Sequence, residues 1–419
     1  MYESFSFLFF TAAVISFINY RWIKLPLTIA QLLLSLGLAV LVLVAKPLWP
    51  AAYGFLSNTV TQVDFNHFML DILLGFLLFA GALHVDIRGL EEERWPVFWF
   101  ATLGVLLSTA IIGIGLYGIA AGLGVPLSFF DCLLFGALIS PTDPVAVLAL
   151  LKDSNVSPSL QLKIEGESLF NDGVGVIVFT GILLLSEMSS SGGESPLMLE
   201  LGQLLLREVF LGLSLGALLG FLGFRAMKMV DQDPHLTTIV SLAIVFGGYS
   251  LAQALETSGP LAMVVAGLFI GNQIKQPGFE VETRKVLDGF WEILDDSLNG
   301  ILFVFLGLAI HLMSPDSMAE IWLMLSVIVL VLAARFIAVV IPYSFLRHDA
   351  HRWVDTAAVL TWGGLRGGIS LALAYSLTEN MSGSTLLLLT YGLVIFSILV
   401  QGLTLPKVVK VLLPSAPSK

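Results

Sequence analysis

The chain has 419 residues, 57% of them hydrophobic and only 12% charged. Soluble domains carry about 25% charged residues, so this chain is solvated mostly by lipid. Its formal net charge of −11 is spread over short loops and gives no ground for a nucleic-acid partner, and a single cysteine, Cys132, excludes an internal disulfide framework or a multi-cysteine metal site.

A helix of about 20 apolar residues crosses a bilayer. Thirteen such stretches follow one another, near 4–20, 25–45, 68–85, 97–121, 131–151, 164–186, 200–226, 237–255, 259–274, 289–311, 319–345, 353–377 and 385–406. The first lacks a basic start followed by a small-residue cleavage site, so it is expected to be a retained helix. Residues 46–66, with Trp49, Tyr53 and Asp64, read as an interfacial outer connection, and Glu91, Glu92 and Glu93 as a solvated loop. The fifth span carries SPTDP (Ser140–Pro144) at mid-depth, and the sixth carries Glu165, Glu167, Ser168, Asn171 and Asp172. Residues 187–199 form a Ser/Gly linker. Asp295, Asp296 and Asn299 lie toward the inner end of the tenth span; the two aspartates form either part of a cation-concentrating funnel or a solvated helix end, and Asn299, deeper, is expected to belong with the site. Arg335 lies within the eleventh. His348 and His351 fall in a solvated loop, and TWGGLRGG (Thr361–Gly368) interrupts the twelfth.

Lys and Arg decide orientation. With the N-terminus outside and the C-terminus in the cytoplasm, the inner loops receive all of the 20 basic residues except Lys46, Arg207, Arg335 and Arg366. The spans divide as six, a linker helix and six, and the second set starts from the opposite side. The expected domains are therefore a first repeat (1–186), a linker with helix seven (187–236), an inverted second repeat (237–410) and a short tail (411–419), with no soluble regulatory domain. Inverted repeats with helices broken at matching positions mark secondary transporters. Proline removes a backbone donor and the four glycines of Thr361–Gly368 favour unwinding, so helices five and twelve are expected to be discontinuous.

A carboxylate at mid-membrane costs roughly 2.5–3.5 kcal/mol on insertion scales, so the acidic residues here point to an ion or proton path. Counting about 1.5 Å per residue, Asp143 and Asp172 both lie about 12 Å from the inner end of their helices and can face each other. Ser168 and Glu165 share a helix face with Asp172, and Glu167 shares another with Asn171. Unwinding would free carbonyls of Ser140 and Thr142, and oxygen ligands of this kind suit hard cations. Arg335 needs a counter-charge, for which Glu167 is the candidate. Arg366 is placed to offset the negative ends of half-helices. A cation channel would also set acids at mid-membrane, as would an intramembrane aspartyl protease, but broken helices in inverted halves favour alternating access. No enzymatic activity is expected.

At these residues the sequence resembles the NhaP/NHE branch of the monovalent cation/proton antiporters. The motifs are LLFAGALHVDIRGL (Leu77–Leu90), FGALISPTDPVAVLALL (Phe135–Leu151), EGESLFNDG (Glu165–Gly173), the Arg335 helix and TWGGLRGGISLALAYSL (Thr361–Leu377). The resemblance implies an all-α polytopic fold of thirteen helices and a homodimer in a prokaryotic inner membrane. It implies exchange of sodium, or lithium, for a proton, with potassium/proton exchange the alternative and no cofactor beyond the transported ions. It makes Asp172 the exchanging carboxylate, adds Asp143, Thr142, Ser168 and Asn171 to the cation and proton site, and makes Glu167–Arg335 a structural ion pair. Ser140, Pro141, Thr361 and Arg366 support the crossing, while Glu165, Asn299, Asp295 and Asp296 are secondary candidates. The pair Asn171–Asp172 resembles the electroneutral type. Some relatives carry a cation-coordinating glutamate on the third helix, where this chain has LFAGA (Leu78–Ala82).

Overall fold

The computed structural model describes residues 2–61, 73–151, 156–191, 202–203, 206–310, 317–345, 353–377 and 383–413. Among them there is no strand. Helices fall in the expected order: α1 (Tyr2–Ile18), α2 (Leu27–Ala45), α3 (Leu74–His84), α4 (Arg94–Leu123), α5a (Phe129–Ile139), α5b (Pro144–Leu151) and α6 (Pro158–Ser191). The second series is α7 (Leu206–Met229), α8 (Pro234–Ala254), α9 (Gly259–Ile274), α10 (Val281–Ala309), α11 (Met318–Phe345), α12a (Trp353–Trp362), α12b (Gly368–Tyr375) and α13 (Gly383–Leu412). Eight of these are long and apolar enough to cross a membrane, and α3, α5a and α9 are shorter apolar helices.

Local chemistry sets several starts. Ser128 and Asp131 form a reciprocal capping box at α5a. The Asp233 carboxylate accepts from the His235 and Leu236 amides ahead of α8, with Pro234 in the first turn, where a missing N–H costs nothing.

The helices sort into two bundles. In one, α3 packs along α9 and α2 along α10, with α1, α7 and α8 around them. In the other, α4 packs on α5a and α11, α6 on α5a and α5b, and α13 on both halves of α12. An apolar seam of Leu78, Ala82, Leu169, Val264 and Leu268 joins α3 and α9 to α6.

Three expectations change. The connection at 46–66 holds a helix, Pro50–Thr61, started by a proline whose fixed φ suits a first turn; the Lys46 ammonium sits 4.0 Å from the Tyr53 ring centroid. Asp64 lies outside the described residues, as do 192–199 of the linker, His348, His351 and residues 414–419. The linker's first residues, 187–191, are the last turn of α6. The acidic run is solvated only in part: Glu91 and Glu92 are exposed at the end of a short helix, Ile87–Glu92, whereas Glu93 is buried, accepting from the Ser159 hydroxyl and pairing with Lys163 at 3.3 Å. A carboxylate can fold beneath α6 there because the α6 lysine neutralises it.

The α3–α9 contact depends on glycine. A methyl at Gly271 would strike the Leu83 carbonyl, and one at Gly267 would come 2.7 Å from that of Phe79. Gly271→Val should therefore destabilise the protein by about 1–3 kcal/mol through overpacking, read as a lower unfolding temperature in detergent. Gly247→Ala, which meets nothing within 4 Å, should leave that temperature unchanged.

Candidate functional site

Breaking a helix inside a bilayer frees backbone groups that have no water to bind, each at a cost of several kcal/mol. The structure accounts for them at a single crossing. The Asp143 amide donates to the Leu365 carbonyl at 2.8 Å, a main-chain bond between the break of α5 and the break of α12. The Arg366 guanidinium, fully buried, donates to the Ser140 carbonyl and, at 2.8 Å, to that of Pro141. The Ser140 carbonyl, read from the sequence as a free ligand, is thus occupied by an arginine. That positive charge lies where the negative end of α5a points.

The α12 break is supported from α13, at a widened turn over Ser397–Gly402. The Ser397 hydroxyl accepts from the Arg366 amide at 2.9 Å, and the Gln401 amide donates to the Trp362 carbonyl at 3.1 Å. Neither residue stands out in the sequence, since each is a single polar side chain in an apolar run. Thr361 does not reach across the break; its hydroxyl donates to the Ala357 carbonyl one turn back. The Ser140 hydroxyl likewise donates to Gly136 and lies 3.2 Å from that of Thr109.

Beside the crossing lies a cavity of about 90 Å³. Pro141, Thr142, Asp143 and Pro144 line it from the α5 break, Leu169 and Asp172 from α6, and Gly367 to Ser370 from the start of α12b. Leu74, Leu77, Leu78 and Gly81 of α3 and Asp295, Asn299 and Leu302 of α10 close the opposite wall. Asp143 and Asp172 thus share one small space. Gly367 is required by closeness, because a Cβ there would come within 2.6 Å of the Asp143 carboxylate. Ser370, buried and facing the cavity, is absent from the sequence reading. Its only signal there is its place in the first turn after the last glycine.

Ser168 and Asn171 stand behind this wall. The Asn171 side chain takes the Thr142 amide on its oxygen at 3.3 Å and donates from its nitrogen to the Thr142 hydroxyl at 2.9 Å. That hydroxyl lies 3.0 Å from the Ser168 hydroxyl. The pair acts on the cavity through Thr142, which it holds in place. Glu167 faces away, toward α11, where it accepts from Arg335 in a buried ion pair; a second nitrogen of Arg335 donates to the Leu360 carbonyl at 3.5 Å. Glu165 is nearer the N-terminal end of α6, within electrostatic reach of Lys275, and is not on the cavity wall. Asp296 is a neighbour of Asp295 but does not line the cavity either. The cavity therefore offers carboxylate and hydroxyl oxygens, a donor set suited to a hard cation, and no group of three or more His, Cys, Asp or Glu that would hold a resident metal occurs among the described residues.

Residues 8–411 match the family model described as "Sodium/hydrogen exchanger, transmembrane". The chain is 40% identical over 402 residues to the Na(+)/H(+) antiporter NhaP of Pseudomonas aeruginosa, covering 95% of this chain and 93% of that protein. It is 33% identical to the Na(+)/H(+) antiporter NhaH of Halobacillus aidingensis, over 92% and 94% of the two chains. Its fold is similar to that of the sodium proton antiporter MjNhaP1 from Methanocaldococcus jannaschii, with a TM-score of 0.76 at 20% identity over 98% of each chain.

Removing Arg335 alone would strand the Glu167 carboxylate in low dielectric. Arg335→Ala should cost about 3–5 kcal/mol, measured as a fall in unfolding temperature, and the double change with Glu167→Ala should recover part of it. A double variant as unstable as the single one, or less stable, would show that the pair does not hold the helices together.

Proposed function

This chain belongs to the sodium/hydrogen exchanger family, and we propose that it exchanges one sodium ion for one proton at Asp172 by alternating access across a cell membrane. The observation that carries the reading is the cavity in which a broken crossing sets Asp143 and Asp172 together. Its relatives are named as sodium/proton antiporters, which favours sodium over potassium. Thr142, Asp143 and Asp172 supply the oxygens nearest the ion, with Ser168 and Asn171 orienting Thr142.

Coupling needs only competition. A carboxylate removed from water is costly bare and acceptable with a partner, either a proton or a cation. The two partners exclude each other at one site. If the loaded site lets the two bundles shift past each other and the bare carboxylate does not, each crossing carries one passenger and leak is suppressed. Sodium and the proton are cargo, and no resident cofactor enters the cycle.

The same reading places the N-terminus outside, the C-terminus in the cytoplasm of a prokaryote with the protein in its inner membrane, and the protein as a homodimer. The repeats are assigned to 1–186 and 237–410, joined through 187–236, with a tail at 411–419.

Asp172→Asn can neither titrate nor supply a full charge, so it should abolish sodium-driven proton flux in proteoliposomes while the purified protein remains folded. Flux retained in that variant would overturn the assignment. The exchange should also be electroneutral: Asn171 cannot ionise, guanidinium groups stay protonated, and only Asp172 changes partner. A sodium/proton exchange rate that varies steeply with an imposed potassium-diffusion potential would refute one-for-one exchange.

A further inference from the structure

The walls of the cavity differ in kind. On the side of Asp143 and Asp172 the polar groups belong to α5b's start, α6 and α12b. On the facing side α3 contributes only Leu74, Leu77, Leu78 and Gly81, so the polar atoms there come from Asp295 and Asn299 of α10. These two and Leu302 are spaced four and three residues apart, which puts them on one helix face. The Asn299 amide donates to the Asp295 carboxylate at 3.2 Å, fixing the carboxylate against rotation. One turn earlier, Trp291 is fully buried, donates from its indole nitrogen to Ser241 at 3.0 Å, and packs on Phe79 of α3 at 4.8 Å between ring centroids. That anchor sets the rotation of α10 about its axis and holds the face of Asp295 toward the cavity. Asp295 and Asp143 are close enough to repel each other when both are charged, so a cation between them relieves the strain on both.

We propose that Asp295, oriented by Asn299, is an affinity-determining carboxylate of the cation site, contributed by the bundle that faces Asp143 and Asp172. The inference rests on the sodium/proton exchange proposed above. It adds that the cation is held between the two bundles and not by one alone. Because α10 packs with α1, α2, α3 and α8 while Asp143 and Asp172 belong to the other bundle, any sliding of one bundle past the other separates Asp295 from the ion. Asp295 then raises affinity in one conformation only, and the two sides of the membrane present sites of unequal affinity. Asp295 is outside the proton swap itself, so the maximal rate does not depend on it.

The test uses the full chain in proteoliposomes. Asp295→Asn keeps size and hydrogen bonding to Asn299 but removes the charge. It should raise the half-saturating sodium concentration at least about ten-fold, since one unit charge at short range in a partly buried site is worth more than a ten-fold change in affinity, from one side of the membrane and much less from the other. The maximal exchange rate and the unfolding temperature without sodium should stay near wild type, and Asp295→Glu should restore most of the affinity. Sodium-dependent thermal stabilisation of the purified variant should weaken in parallel, which gives a readout independent of flux. Unchanged sodium affinity in Asp295→Asn would overturn the inference and leave Asp295 a wall residue. Loss of all exchange at saturating sodium would also overturn it, placing Asp295 in the exchange step. Equal weakening from both sides would overturn the one-sided role. Absence of sodium-driven proton flux in the wild type would instead be the failure of the exchange reading.

Discussion

The fold turns on one requirement: two helices can be broken in lipid only if each donor and acceptor released by the breaks finds a partner in protein. Here the two breaks serve each other. The Asp143 amide reaches across to Leu365, Arg366 returns to the carbonyls of Ser140 and Pro141, and Ser397 and Gln401 complete the pattern from α13. The short helices α5b and α12b then start at the crossing, and their first residues become the wall of the cavity. Glycine at 367 follows from this geometry, because no side chain fits between that turn and the Asp143 carboxylate.

Around this crossing the charges have separate tasks. Glu167 and Arg335 neutralise each other away from the cavity, Arg366 is spent on carbonyls, and among the described residues no arginine is paired with Asp172. A carboxylate already paired with arginine would have little to gain from sodium. Under the proposed exchange, keeping the strong cations on other partners would leave Asp172 dependent on cargo for its neutralisation, which is the condition competition requires.

Much of this was legible in the sequence, because membrane helices announce themselves by length and the breaks by proline and glycine. SPTDP and TWGGLRGG located the discontinuities without knowledge of packing, and the order of the helices followed from hydropathy. Side-chain direction was harder. Asn171 reads as a ligand beside Asp172, yet adjacent helical residues point about 100° apart, and its amide serves Thr142 instead. Glu93 reads as solvent-exposed because its neighbours are glutamates; its burial depends on Lys163, seventy residues later. Ser370, Ser397 and Gln401 carry no local signature at all. Their roles arise from which helix lies alongside, information that periodicity does not hold.

Arg366 has a consequence for how such a chain can change over time. It sits at the α12 break and is hydrogen-bonded to carbonyls at the α5 break, while Asp143 at the α5 break has its glycine clearance at the α12 break. Each half of the chain holds a component that the other half needs at the crossing. A change on one side of the crossing is therefore met by residues of the other. The crossing is thus a mutual dependence between unlike halves of the chain.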